Sequence, residues 1–213
     1  DSYENFDIPV VNDLSKILEN NPDLKGLNIT IPYKESIIQL LDKVDKEARK
    51  IGAVNTIKIN EDGKLIGYNT DHYGFAKALM EFLPIKEKKA LVLGTGGASK
   101  AIIYVLKTMS FEITQVSRTK TKNTITYTDL NKDILAQNYL IINCTPLGTF
   151  PNINEFPDIP YQHITEEHLV FDLTYNPRET KFMKLSKNRG ARISNGLKML
   201  EYQAKKAWSI WIS

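Results

Sequence analysis

The chain has 213 residues, 42% of them hydrophobic, and a formal net charge of +3. That length can bury one large core or two modest ones. The slight positive excess is not concentrated enough to argue for nucleic-acid binding, no apolar run is long enough to span a membrane, and no signal peptide is expected.

Cys144 is the only cysteine, so no internal disulfide can form, which suits a reducing cytoplasmic location. His72, His163 and His168 lack metal-ligand spacing, and no metal site is expected.

Taken in order, residues 1–8 read as a strand with Tyr3 and Phe6 as its apolar positions, ending before Pro9. Leu14 to Leu18 reads as a short helix stopped by Asn20-Asn21-Pro22. A second strand is expected over 24–31, ended by Pro32, and a helix over 34–41 with Ile37, Ile38, Leu40 and Leu41 available to a core. Residues 46–51 add a further helical turn or two. Residues 54–60 and 64–68 flank Glu61-Asp62-Gly63, a hairpin signal. A helix then starts near Asp71, which could serve as its N-cap. Pro84 and the charged stretch 86–89 read as a crossing between domains.

From there strand and helix alternate. Strands are expected over 90–93, 112–116, 139–144, 169–173 and 191–194, with a long proline-containing loop over 150–160 and a last helix from Gly196 through Ile212. The expected fold is α/β with two domains. A Rossmann-like dinucleotide-binding domain with a parallel sheet would span 83–195, and a smaller α/β domain would combine 1–82 with 196–213.

The organising stretch is Lys89 to Lys100. Ala90-Leu91-Val92-Leu93 is apolar without alternation, as in a strand buried on both faces of a parallel sheet. Gly94-Thr95-Gly96-Gly97-Ala98 follows, and Ala98, Ala101, Ile102, Val105, Leu106 and Met109 then recur at helical spacing. Strand, glycine turn and helix together suggest a pyrophosphate cradle, against the plainer reading of a turn that binds nothing. The third glycine position of the usual fingerprint holds Ser99, which is still small. After the next strand an NAD site usually carries an acid for the ribose. Here the chain offers Ser117, Arg118, Thr119, Lys120 and Lys122, so NADP is the expected cofactor; the alternative is a solvated basic turn.

Three further segments crowd polar groups at strand ends: 28–34, 52–56 and 68–71. Taken singly, Lys34 could be a solvated helix residue, Asn55 a turn residue and Asp71 a cap. Taken together, N-I-T-I-P-Y-K (28–34), G-A-V-N-T (52–56), N-T-D-x-x-G (69–74), G-T-G-G-A-S (94–99), S-R-T (117–119), N-C-T-P-L-G-T (143–149) and G-L-K-M-L-E-Y-Q-A (196–204) resemble the shikimate dehydrogenase family. The motifs occur in the family's order and cover nearly the whole chain.

The resemblance implies an NADP-linked oxidoreductase that interconverts 3-dehydroshikimate and shikimate on the route to aromatic amino acids, with the reacting cleft at the domain junction. It implies that Lys34 is the catalytic lysine and Asp71 its partner at the substrate. Thr30, Asn55, Tyr175 and Gln203 match substrate positions. Gly94, Thr95, Gly96, Gly97 and Ala98 match the pyrophosphate loop, and Ser117, Arg118 and Thr119 the adenosine-phosphate site. The expected partner is this small-molecule substrate, with neither nucleic acid nor membrane, in a monomer or homodimer.

The chain departs from the family pattern at its beginning. The family's first strand and helix carry a serine pair that contacts the substrate carboxylate, and these 213 residues begin where the second strand would be. The expectation is a weakened grip on that carboxylate if the segment is lacking. A quinate-using relative of the same fold and a non-catalytic NADP-binding regulator are the rival readings; a folate-linked dehydrogenase is disfavoured by the Asn69-Thr70-Asp71 motif.

Overall fold

A computed structural model describes residues 2–213. The chain forms two compact units, 2–70 with 206–213, and 71–205.

The first unit is built on a small mixed sheet. Its elements are α1 (Leu14–Asn20), β1 (Gly26–Asn28), β2 (Lys43–Val44), α2 (Lys46–Ile51), β3 (Thr56–Ile59) and β4 (Leu65–Tyr68), with strand order β1-β3-β4-β2. The expected hairpin is β3–β4, antiparallel with Ile57 opposite Gly67. β1 joins β3 antiparallel, and β2 joins β4 parallel. Leu14, Ile37, Ala48, Val54, Ile57 and Leu65 form the core of this unit. α2 is closed locally: the Asp45 carboxylate accepts from the Glu47 N–H at 2.9 Å, and Gly52 ends the helix.

The sequence reading fails at three places here. Residue 1 of the strand expected over 1–8 lies outside the described residues. The remainder forms no strand and pairs with none among the described residues, and Tyr3 is 70% exposed. The strand expected over 24–31 shrinks to Gly26–Asn28: the Ile29 N–H still bonds the Asn55 carbonyl at 2.8 Å in register with β3, but Thr30 then accepts from the Tyr33 N–H in a turn that ends the pairing. The helix expected over 34–41 is a 3-10 segment, Ser36–Leu40, in which the Ile38 and Leu41 amides close at i,i+3.

The second unit carries α3 (Asp71–Met80), β5 (Lys89–Leu93), α4 (Gly97–Thr108), β6 (Glu112–Ser117), β7 (Ile125–Thr126), α5 (Lys132–Gln137), β8 (Leu140–Asn143), β9 (Leu169–Asp172), α6 (Lys181–Lys187) and β10 (Arg192–Ser194). α7 (Leu197–Trp211) begins in this unit and ends in the first. The six strands are parallel in the order β10-β9-β8-β5-β6-β7. β7, α5 and α6 were not read from the sequence; α5 and α6 are too short for periodicity to announce them.

The unalternating run of β5 is explained by two cores. Ala90 and Val92 pack with Phe75, Leu79, Ile102, Leu106 and Phe171 on one face. Leu91 and Leu93 pack with Leu135, Ile141, Val170 and Phe182 on the other. Ala90, Leu91, Val92 and Leu93 are all fully buried. α3 packs into the first of these cores through Phe75, Ala78 and Leu79, which is why the compact unit begins at Asp71, upstream of the crossing at 83–89.

Candidate active site

In the second unit the chain leaves β5 toward β6 and returns on the opposite side as β8. The crevice at the carboxyl ends of β5 and β8 is therefore the place where the strand order reverses, the usual ligand position in open α/β sheets. Gly94 occupies that point. Its φ is +106°, and a Cβ there would lie 3.1 Å from Thr145 Cγ2, so only glycine suits the turn. The Gly94 N–H donates to the Val116 carbonyl at 2.9 Å, and its carbonyl accepts from Gln115 Nε2 at 2.9 Å. The turn is thereby tied to β6.

Thr95 and Gly96 are exposed, and nothing lies within 4 Å of where a Gly96 Cβ would stand. A diphosphate can therefore approach the main chain. Gly96 is the N-cap of α4, whose first-turn amides at Gly97 and Ala98 precede any intrahelical acceptor. Ser99 at the third fingerprint position is fully buried, and its hydroxyl donates to the Gly96 carbonyl at 2.7 Å. It is small enough for close packing, and its one polar atom is satisfied. These features fit a dinucleotide pyrophosphate.

β6 ends at Ser117, whose Oγ accepts from the Thr119 N–H at 3.2 Å. Arg118 and Thr119 are exposed beside it. The nearby carboxylate of Asp129 is committed elsewhere. It closes a capping box with the Thr126 N–H at 2.8 Å and hydroxyl at 2.9 Å, and lies 3.5 Å from Lys120. Those Thr126 bonds hold its carboxyl below the ordinary carboxylate value. The turn thus offers an exposed guanidinium, with its neighbouring acid already bound, an arrangement that fits a 2′-phosphate better than a bare ribose.

Among the other expected site residues, those of the first unit converge through local bonds. Asn55 is 3% exposed. Its Oδ1 accepts from the Thr70 N–H at 2.6 Å and from the Thr56 hydroxyl at 3.2 Å, and its amide donates to Thr70 Oγ1 at 3.1 Å. The Val54 N–H donates to the Lys34 carbonyl at 2.7 Å, so the segment carrying Thr30 and Lys34 is fastened beside Asn55. Thr30 is exposed and Lys34 half-buried.

In the second unit, Asp71 is buried and is the first residue of α3. One turn later Gly74 lets α3 press on α7: a Cβ there would stand 2.5 Å from the Met199 carbonyl oxygen and 2.9 Å from Gln203 Cβ. Asp71 and Gln203 thus sit on two helices in direct contact. Tyr175 is 51% exposed in the loop after β9, and Gly196, at the start of α7, donates to the carbonyl of the preceding Thr174 at 3.0 Å.

The sequence reading missed a second polar cluster, at Asn143, Asp172, Thr174 and Thr180. The available signal was an acid closing the apolar strand Leu169–Phe171. Burial pushes the Cys144 thiol upward, away from the reactive thiolate. His168 is buried between the Thr165 N–H at 3.1 Å and the Leu135 carbonyl at 3.0 Å, a packing histidine. Among the described residues no cluster suits a metal ion, and no helix is long and apolar enough to cross a membrane.

Residues 1–57 match the family model of the shikimate dehydrogenase substrate binding domain. A shikimate dehydrogenase (NADP(+)) of Clostridium botulinum is 42% identical over 212 residues, covering 94% of this chain and 80% of that protein. The crystal structure of shikimate 5-dehydrogenase from Thermus thermophilus in complex with NADP(H) and shikimate matches with a TM-score of 0.83 at 31% identity, covering 97% of this chain and 80% of that one. A quinate dehydrogenase from Corynebacterium glutamicum in complex with NAD matches at 0.81 and 28%, covering 93% and 77%. With motifs, fold and identity agreeing along nearly its whole length, the chain belongs to the shikimate dehydrogenase family.

Proposed function

We propose that the protein is an NADP-dependent shikimate dehydrogenase, reversibly reducing 3-dehydroshikimate to shikimate on the route to aromatic amino acids. The observation that carries the reading is the glycine turn at the strand-order reversal, followed by an exposed Arg118 whose neighbouring acid is bound elsewhere.

Bound at that turn, the cofactor supplies or accepts the hydride. Gly94 to Ala98 receive the pyrophosphate; Ser117, Arg118 and Thr119 receive the 2′-phosphate. The catalytic roles follow the family motifs. Lys34 gives its proton to the carbonyl oxygen as charge gathers there, and takes one from the hydroxyl in the reverse direction. Its positive charge also draws the anionic substrate. Asp71 orients the reacting hydroxyl. Thr30, Asn55, Tyr175 and Gln203 hold the remaining hydroxyls and the carboxylate. By function, residues 1–82 with 196–213 serve the substrate and 83–195 the cofactor, although α3 and the start of α7 pack with the latter.

The test is NADP+ reduction followed at the nicotinamide absorbance, with shikimate and quinate in turn. Shikimate should be the faster substrate, and NADP+ should outperform NAD+. Faster turnover of quinate would move the assignment to the sister activity. NADP binding without turnover of either acid would leave a non-catalytic binder.

A further inference from the structure

The missed polar cluster has a use that the catalytic reading leaves unfilled. Asp172 closes β9 and is fully buried, as are Asn143 at the end of β8 and, to 1% exposure, Thr180. Three donors converge on its carboxylate. Asn143 Nδ2 and the Thr174 N–H each donate to Oδ1 at 3.0 Å, and the Thr180 hydroxyl donates to Oδ2 at 2.6 Å. Only an acceptor suits the Oδ1 position, which takes two N–H donors.

Each donor leads to a loop. Asn143 Oδ1 accepts from the Thr145 N–H at 3.0 Å and hydroxyl at 2.6 Å, and Thr145 is the residue packed against Gly94. Thr174 precedes Tyr175. Thr180 caps α6 by accepting from the Met183 N–H at 3.3 Å. The two loops are also joined by Thr149 and Thr174 hydroxyls 3.1 Å apart, and by the Phe150 N–H donating to the Asn176 carbonyl at 3.0 Å.

We propose that Asp172 is a positioning residue for the reaction: it clasps the loop beside the pyrophosphate turn to the loop that carries Tyr175, setting both at once. Its effect on catalysis rests on the activity proposed above; the clasp itself does not. Asp172 is fully buried, and its donors are side chains and main chain at the end of β8, in the Tyr175 loop and at the cap of α6. Its removal therefore displaces groups at both ends of the network instead of deleting one contact.

The test compares Asp172→Ala with Asp172→Asn, whose amide oxygen can take the place of Oδ1. Asp172→Ala should raise the KM for shikimate and for NADP+ by roughly tenfold each, since a displacement of ~1 Å can cost about a hundredfold. Asp172→Asn should restore both to within about threefold, because it loses one hydrogen bond rather than three. Tyr175→Phe should raise the shikimate KM in the wild type and add nothing in Asp172→Ala, as coupled sites do. Hydrogen exchange gives a readout independent of activity: in Asp172→Ala the amides of Thr145 and Thr174 should both exchange faster, while that of Leu91 does not change. If Asp172→Ala does not fold, Thr180→Val removes the Oδ2 bond together with the Met183 cap and should speed exchange over 174–183 while leaving the Thr145 amide unchanged. A lower melting temperature with unchanged KM values, full additivity with Tyr175→Phe, or faster exchange in one loop alone from Asp172→Ala would overturn the proposal. A wild type inactive on shikimate would overturn the activity instead, and the exchange data would still decide the clasp.

Discussion

The two units hold their expected site residues in place by different means. In the second, β8, β9 and all of β5 after Lys89 are buried, and the glycine turn projects from the end of an apolar slab. In the first, β3 and β4 are only partly buried, and the site segment is pinned by Asn55, Thr56 and Thr70, all nearly inaccessible to solvent. An apolar slab tolerates small changes in shape, because many contacts share the load. A buried polar network does not, because each member leaves a partner unsatisfied when it is lost. Substitutions in the apolar slab behind the glycine turn should therefore act gradually, and those in the buried polar networks, around Asn55 in the first unit and around Asp172 in the second, abruptly.

The largest expected effect belongs to the substrate side. Lys34→Ala should lower kcat by about 10²–10⁴, the usual contribution of a general acid–base group, with NADPH affinity nearly unchanged. A surviving kcat with a raised Michaelis constant would make Lys34 an anchor and leave the proton to another group.

Next in size is a direct contrast of the two means of support. Leu91→Ala should cost about 2–5 kcal/mol of stability, spread over the unfolding of the second unit. Asn55→Ala should cost about 1–3 kcal/mol, because the Thr70 N–H loses its acceptor, yet it should raise the shikimate KM more than Leu91→Ala does. Denaturant unfolding beside steady-state kinetics reads both. Equal effects of the two substitutions on KM would erase the distinction drawn between the units.

Arg118→Ala should weaken NADPH by roughly ten- to a hundredfold, the loss of a charge-assisted contact of about 1.5–3 kcal/mol, while NADH is little affected. Equal losses for both cofactors, read by fluorescence titration, would make Arg118 a structural residue.

The smallest expected effect is a pH dependence. Burial raises the Asp172 carboxyl above its ordinary value, outweighing the bonds from Thr180, the Thr174 amide and Asn143 that lower it. A folded-state value above the unfolded one gives stability that is present in acid and lost as pH rises through the folded value. Asp172→Asn cannot ionise and lacks that loss. Its urea midpoint relative to wild type should therefore move in its favour as pH rises from about 4. A difference that stays constant with pH would mean that Asp172 titrates as it does in the unfolded chain.

Much of the cofactor side could be read directly from the chain because its rules are local. An unalternating apolar run, a glycine turn and a helical stripe are consecutive, and each depends on neighbours within a few residues. The hairpin was readable for the same reason. The segment 1–8 had strand-like residues, but a strand also needs a neighbour to bond, which its own composition cannot supply. The shortening of β1 came from a turn in which the Thr30 carbonyl takes the Tyr33 amide, and the 3-10 segment Ser36–Leu40 is likewise closed by short-range bonds that an apolar pattern does not distinguish from an α-helix.

The support of the site was the least readable part. Asn55 meets Thr70 across 15 residues, and Asn143 meets Asp172 across 29. The amino-acid sequence by itself determined where the buried strand, the glycine turn and the amphipathic helix lie, because those follow from side-chain type and backbone sterics. Only the tertiary structure decided which buried donor meets which acceptor, because a hydrogen bond depends on distance and direction, and sequence separation carries neither.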